Sequence, residues 1–122
     1  ETEFEHLGVT ATANFDNPVL DADPGQYFPY KVEEKRGFFK TSTVRNAALT
    51  APYMHNGAYE TLEEVLAFYN KGGGAGMGLD VPYQTLPSSP LNLEEAEISA
   101  IIAFIKTLTD SRYEKVKAYA LK

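Results

Sequence analysis

The sequence predicts a mainly α-helical domain with long ordered loops, and three observations lead to this fold class. Two segments in the second half carry apolar residues at helical spacing behind residues that cap helices. Residues 1–60 carry little periodicity and many turn-forming pairs, among them Asn17-Pro18 and Asn56-Gly57. No segment has a convincing strand pattern. We therefore expect the first half to form ordered loops that wrap over helices, with a short helix over residues 44–49.

The first long helix is predicted to follow Thr61, a favourable N-cap with Glu64 three residues later, the spacing of a capping box. Apolar residues then recur at positions i, i+3, i+4 and i+7 of a helix, and Gly72 ends it. This stripe consists of Leu62, Val65, Leu66 and Tyr69. The pattern predicts that one face of the helix, including the phenol of Tyr69, turns inward.

The second long helix is predicted to begin after Asn92, with Glu95 in the reciprocal capping position. A loop rich in Gly, Pro and Ser, over residues 72–90, joins it to the first helix. A third and weaker helix is predicted over about residues 111–121. The apolar stripe of the second helix consists of Ile98, Ile101, Ile102, Ile105 and Leu108.

Composition restricts the class of protein. The chain has 122 residues, which suits one domain with a modest core, and its net charge of −6 without any basic run argues against a nucleic-acid partner. No window approaches the ~18 apolar residues of a membrane span. The absence of Cys excludes disulfides, thiolate metal sites and cysteine nucleophiles within this sequence. Motifs for phosphate binding, zinc proteases and EF-hands are also missing.

The central segment GFFKTSTVRNAALTAPYMHNGAYETLEEVLAFYNKGGG, residues 37–74, resembles the C-terminal haem domain of bacterial di-haem cytochrome c peroxidases and their MauG-type relatives. That family typically shows F-K/R-T-P-S/T-L-R-N, then L-T-A-P-Y-M/F-H-D-G, then a T-L-E-E helix. Here Ser42 replaces the usual Pro and Asn56 the usual Asp. The resemblance extends over about residues 4–110, because EHLGVT near the start and the last long helix also match.

The resemblance implies a single cytochrome c-like domain over residues 1–122, the second of two haem domains. Family members attach this haem c through a C-x-x-C-H motif, and we expect this chain to begin just after that motif. The haem-bearing cysteines would then belong to a companion chain or a missing segment. The implied function is an oxidoreductase component, a low-spin electron-relay domain that reacts with hydrogen peroxide only together with that other half. A small redox protein or a protein substrate would be the partner, in the periplasm.

Three accounts of the missing motif stay open at this stage. The chain is a proteolytic fragment of a di-haem protein, a separately encoded half of a split one, or a haemless relative. The last account defines the alternative function, a structural or binding module that keeps the fold without the haem.

The resemblance also implies an axial ligand. In the peroxidases a Met lies fourteen residues beyond the His of P-Y-x-H-D-G, and the same count from His55 reaches Tyr69. MauG-type relatives place a Tyr there, and a phenolate ligand stabilises oxidised iron, whereas Met raises the reduction potential. Met77 in the Gly-rich loop is the rival ligand, and Met54 is a weaker candidate. The alternative without a haem is that Tyr69 only packs in the core.

Other site residues are implied in the same way. The backbone carbonyls of Thr50 and Pro52 match positions that help to bind Ca²⁺ between the two haem domains, against the alternative of an ordinary proline turn. His55 matches a histidine close to the haem, so it is the catalytic candidate, although a lone His beside an aromatic ring is usually structural.

Arg45 is the candidate partner of a haem propionate, or else it forms a surface ion pair. Tyr53 and Met54 complete the cofactor-binding set, and His6 is expected to be structural.

Overall fold

The structure, a computed structural model, describes residues 3–113, so most of the predicted helix over about residues 111–121 lies outside the described residues. The described chain is mostly helix and loop, in agreement with the predicted class. Its elements are β1 (Phe4–Glu5), α1 (Tyr27–Tyr30), a 3₁₀ turn at Glu33–Lys35, β2 (Phe39–Lys40), a second 3₁₀ turn at Ala47–Leu49, α2 (Leu62–Asn70), α3 (Gly73–Gly76) and α4 (Glu95–Thr107).

Helix α2 begins where the sequence predicts. Thr61 is its N-cap, and the Thr61 hydroxyl accepts a hydrogen bond from the Glu64 N–H at 3.1 Å. The Glu64 carboxylate reaches back to the N–H of Glu60 at 2.9 Å instead of that of Thr61, so the second bond of the capping box is shifted by one residue. Beyond the last turn, Gly72 has a φ of 85°, a left-handed conformation that favours glycine.

Helix α4 begins two residues later than predicted. Its N-cap is Glu94, not Asn92, and the Glu94 N–H bonds the carboxylate of Glu97 at 2.8 Å. The predicted cap at Asn92 is wrong because Asn92 adopts a φ of 55°, which places it in a turn before the helix. The helix residue Ile102 is buried as the stripe predicts.

The first half contains one strand pair that the sequence analysis missed. Strands β1 and β2 are antiparallel, with Phe4 opposite Lys40 and Glu5 opposite Phe39. Each strand has only two residues, too few for any alternating pattern to be visible in the sequence. The short helix predicted over residues 44–49 is present as the 3₁₀ turn at Ala47–Leu49.

The buried core joins the two halves through aromatic rings. Phe68 of α2 and Tyr59 are both 0% exposed, and their ring centroids lie 5.3 Å apart. Phe15, from the first half, packs edge-on against Tyr59 at 5.4 Å. The Tyr59 hydroxyl lies 2.8 Å from the hydroxyl of buried Thr10. The loops of the first half are therefore fixed onto α2.

A second attachment holds the N-terminal loop against α3. A Cβ at Gly74 would lie only 2.4 Å from the carbonyl oxygen of Gly8, so the two backbones approach as closely as glycine allows. The Gly74 N–H donates to the carbonyl of Leu7 at 3.0 Å. None of the helices described between residues 3 and 113 is long and apolar enough to cross a membrane.

Candidate functional site

A cavity of about 670 Å³ lies beside α2, between that helix and the loops of the first half. The predicted stripe of α2 forms part of its wall, which explains why Val65, Leu66 and Tyr69 are only partly buried. The volume is within the range of about 300–1,000 Å³ that ligand pockets occupy. Further apolar residues of the wall are Leu7, Val9, Leu20, Val44, Leu62 and Ile105.

Most of the predicted site residues lie in this wall. Thr50, Pro52, Tyr53, Met54, His55 and Tyr69 all line the cavity. Arg45 is not among the lining residues; its side chain is 71% exposed, and its guanidinium lies 4.0 Å from the carboxylate of Asp110. Met77 lines a different cavity, together with Phe15 and Lys71. The structure thus brings together every predicted haem-site residue except Arg45, and it separates Met77 from Tyr69.

Tyr69 is the polar group that α2 carries into the cavity. Its hydroxyl forms no hydrogen bond with any residue between 3 and 113, and the residue is only partly buried. Burial raises the pKa of Tyr69, and the nearby carboxylate of Glu5 raises it further. Burial and Glu5 therefore favour the neutral phenol, and a cation close to the oxygen would reverse that preference.

Tyr53 offers a contrast within the same wall. Its hydroxyl donates a hydrogen bond of 2.8 Å to the carbonyl of Ala47, in the second 3₁₀ turn. Burial, and then the charge of Glu63, raise its pKa. The Tyr53 hydroxyl therefore has a hydrogen-bond partner within residues 3–113, whereas the Tyr69 hydroxyl has none there.

His55 is held in one orientation by two contacts. Its ring stacks on Phe39, with centroids 3.6 Å apart and planes 8° from parallel, and its Nε2 lies 2.7 Å from Oδ2 of Asp21. The two side chains are 16% and 20% exposed, respectively. Burial alone would raise the pKa of Asp21, but hydrogen bonds from His55, Asn56 and the backbone outweigh it, and the pKa is lowered.

Two cationic residues line the cavity that the sequence analysis did not single out. Arg36 is held by Glu33 at 2.8 Å and lies over the ring of Tyr27 at 3.8 Å. Lys40 is exposed at the end of β2. Lys40 belongs to the quoted Phe39-Lys40-Thr41 motif, so it could have been found there, whereas nothing local distinguishes Arg36 from other surface arginines.

His6 lines the cavity but is buried within its wall. Its side chain packs against Phe38, with ring centroids 5.3 Å apart, and a Cβ at Gly37 would come within 2.3 Å of its Nε2. Nδ1 of His6 has no hydrogen-bond partner among the described residues. Burial lowers the pKa of His6, so the imidazole stays neutral. These contacts agree with the structural role that the sequence suggested.

The arrangement suits a large, flat, mostly apolar ligand that carries acidic groups and a cationic centre. Much of the wall is apolar, and the phenol of Tyr69 belongs to it. Arg36 and Lys40 supply positive charge, beside five carboxylates at Glu5, Asp21, Asp23, Glu33 and Asp80. A haem has these properties, so the residues present fit it. The fold and the cavity together define a mostly helical and loop structure with a ligand-sized cavity.

Comparisons with known proteins identify the family. Cytochrome-c peroxidase IdrP2 of Pseudomonas sp. (strain SCT) is 48% identical over 108 residues, which are 88% of this chain and 26% of that protein. Methylamine utilization protein MauG of Paracoccus denitrificans (strain Pd 1222) is 37% identical over an alignment of 130 positions, gaps included. The alignment covers 93% of this chain and 32% of that protein. A solved MauG-like protein associated with microbial copper homeostasis superimposes with a TM-score of 0.72 at 31% identity, covering 90% of this chain and 35% of that one. No family model matches the chain.

The chain therefore belongs to the family of di-haem cytochrome c peroxidases and MauG proteins, as its motifs predicted. It spans about a quarter to a third of the length of these relatives. The cytochrome-c peroxidases among these relatives are oxidoreductases by name.

Proposed function

We propose that the cavity beside α2 encloses a c-type haem and that Tyr69 is an axial ligand of its iron. The chain would be the second haem domain of a peroxide-dependent oxidoreductase in the periplasm, active only with the haem-bearing remainder of the protein. A small redox protein or a protein substrate would exchange electrons with it. The attachment cysteines would lie outside the printed sequence, which contains none.

The observation that carries this proposal is the phenol of Tyr69. It belongs to the stripe that lines the cavity, and its hydroxyl has no hydrogen-bond partner in residues 3–113. Tyr53 in the same wall donates its hydroxyl to the carbonyl of Ala47, whereas the hydroxyl of Tyr69 stays available to a ligand. Met77 lies in a different cavity, which favours Tyr69 over the rival sulfur ligand.

Bound at this site, the haem would supply reversible one-electron chemistry, with a potential set by its axial ligands. The chain's own residues would do the rest. Val65 and Leu66 would exclude water from one side of the ligand, and Tyr69 would hold the metal through its phenol oxygen. Lys40 and Arg36 would compensate acidic groups at the cavity wall, a role for which Arg45, exposed beside Asp110, is less well placed.

A calcium ion at Thr50 and Pro52 is part of the same proposal. No hydrogen bond within residues 3–113 uses the carbonyl oxygen of either residue, so both oxygens are available to a hard cation. Ca²⁺ takes about 6–8 oxygen ligands, so waters and the remainder of the protein would supply the others. We expect chelation of calcium to change the peroxide reactivity of the whole protein while α2 and α4 stay folded.

The test is Tyr69→Phe in the full-length protein, with Tyr83→Phe as the matched control. Both tyrosines line the cavity, and Tyr83 is 43% exposed. We expect Tyr69→Phe to change the visible spectrum and the reduction potential of one haem, while Tyr83→Phe changes neither. Unchanged spectra in both variants would contradict the ligand assignment. Full-length protein that never shows a Soret band would contradict the haem itself and leave the haemless binding module as the function.

A further inference from the structure

Asp21, Asp23 and His55 form a cluster on the cavity wall, and neither Asp21 nor Asp23 has a part in the haem proposal. One ligand atom from each residue lies within 4.8 Å of the other two. All three residues border the cavity, so solvent or a small ion has access to them. The cluster combines an imidazole nitrogen with two carboxylates.

Each of these side chains is already oriented by its surroundings. The stacking of His55 on Phe39 fixes the plane of the imidazole, and its Nε2 is directed at the Asp21 carboxylate. Oδ2 of Asp21 accepts the N–H of Asp23 at 3.3 Å, and Oδ1 of Asp23 accepts the N–H of Gly25 at 2.9 Å. Such outer contacts hold metal ligands in place and cut the ordering cost of binding.

The charges in the cluster are not balanced by basic side chains. No ion pair within residues 3–113 joins Asp21 or Asp23 to a Lys or Arg, and His55 is the partner of Asp21. Oδ2 of Asp23 accepts no hydrogen bond from these residues. Two carboxylates close to one another and to an imidazole nitrogen, with one oxygen of Asp23 unused by these residues, attract a divalent cation.

We propose that Asp21, Asp23 and His55 bind a divalent transition-metal ion of the zinc class. Zinc accepts imidazole nitrogen and carboxylate oxygen at bonds of about 2.0–2.2 Å, which small rotations of these side chains would allow. The ion would take the place of the proton shared between His55 and Asp21. Three protein ligands leave at least one position open to a water molecule, which the exposure of Asp23 makes accessible from the solvent.

This site differs in chemistry from the calcium site proposed at Thr50 and Pro52. Calcium prefers oxygen ligands in larger number, whereas an imidazole nitrogen favours zinc, copper, iron or nickel. The two sites are also built from different residues, so each can be removed without touching the other's ligands. Zinc binding here does not depend on the haem.

The experiment is equilibrium dialysis of metal-free full-length protein against Zn²⁺, with excess Ca²⁺ present to saturate any calcium site. The test variant is Asp23→Asn, which keeps the oxygen that accepts the Gly25 N–H and removes one carboxylate charge. Asp16→Asn is the matched control, because Asp16 is exposed and lies outside the cluster. Bound zinc per protein is measured by mass spectrometry of the metal.

The wild-type protein and Asp16→Asn are expected to bind one more zinc ion than Asp23→Asn at low micromolar metal. Losing one ligand should lower the affinity for zinc by at least about tenfold, since mutation of even an outer-shell partner lowers metal affinity by about 10–100-fold. His55→Gln should behave like Asp23→Asn, and the far-ultraviolet circular dichroism of each variant reports whether it is folded. Equal zinc binding by wild type and Asp23→Asn would overturn the site, whatever the Soret band shows. Lost zinc binding with an unchanged haem spectrum would support it.

Discussion

The two halves of this domain reach their structures by different means. In residues 61–109, capping residues and apolar spacing are local signals, and α2 and α4 follow them. In residues 3–60, the regular elements have at most four residues, and the loops are fixed by distant partners. Thr10 meets Tyr59, and Asp21 meets His55, across 49 and 34 residues of sequence.

This difference explains where the cavity comes from. A helix with an apolar stripe normally buries it against another regular element. Here irregular loops stand opposite the stripe of α2, and they leave about 670 Å³ between themselves and Val65, Leu66 and Tyr69. Loops that are fixed at a few points can surround a large ligand without filling its space. The helical half therefore supplies one wall, and the loop half supplies most of the chemistry.

The largest expected effect on stability comes from removing the aromatic contact between Phe68 and Tyr59, which joins the two halves. Phe68→Ala should lower the free energy of unfolding by about 3–5 kcal/mol, because a fully buried ring is lost and a cavity is left. Denaturation of the full-length protein, followed by hydrogen exchange in this segment, measures it. Phe104→Ala is the control, since Phe104 is 61% exposed and its loss should cost much less. Similar losses in both variants would mean that Phe68 does not join the halves.

A smaller effect separates long-range from local stabilisation. Tyr59→Phe removes the hydroxyl that meets Thr10 and should cost about 1 kcal/mol, while Thr61→Ala removes the N-cap of α2 at about the same cost. Hydrogen exchange should tell them apart: Tyr59→Phe should speed exchange near residue 10, and Thr61→Ala in the first turn of α2. If both variants loosen the same amides, the two halves are not stabilised independently.

The smallest effect concerns pH. Burial lowers the pKa of His6, so the unfolded chain binds a proton more readily than the folded one. The stability that neutral His6 contributes should therefore be complete above pH 6.5, the ordinary pKa of histidine. It should decline as the pH falls from 6.5 towards the lower pKa that His6 has in the folded protein. His6→Phe should flatten the pH dependence of unfolding over that window. An unchanged slope would show that His6 is not the group responsible.

The sequence was sufficient for the helical half and for the position of Tyr69 on the cavity wall. Thr61, Glu64 and the stripe of α2 are encoded within one short window, and Tyr69 could be found from that stripe and from the family motif. The start of α4 was misplaced because Asn is a favoured N-cap and Glu is not, yet Asn92 adopts a left-handed φ of 55° and the helix begins after Glu94.

The contacts of the loop half could not be predicted from the sequence, for a physical reason. The pairing of His55 with Asp21, and the presence of Arg36 in the cavity wall, depend on contacts between segments far apart in sequence. No periodicity reports such contacts. Arg45 was chosen for its motif, yet the fold leaves its side chain exposed beside Asp110, so its role toward a propionate stays a prediction.

The most direct test of the central claim is resonance Raman spectroscopy of the full-length ferric protein grown with ring-deuterated tyrosine. A phenolate bound to iron contributes ring vibrations to the spectrum, and these shift when the ring is labelled. We predict such bands in the wild-type protein and in Tyr83→Phe, and their loss in Tyr69→Phe. Label-sensitive bands that persist in Tyr69→Phe, or none at all in the haem-loaded wild type, would contradict the assignment of Tyr69 as the ligand.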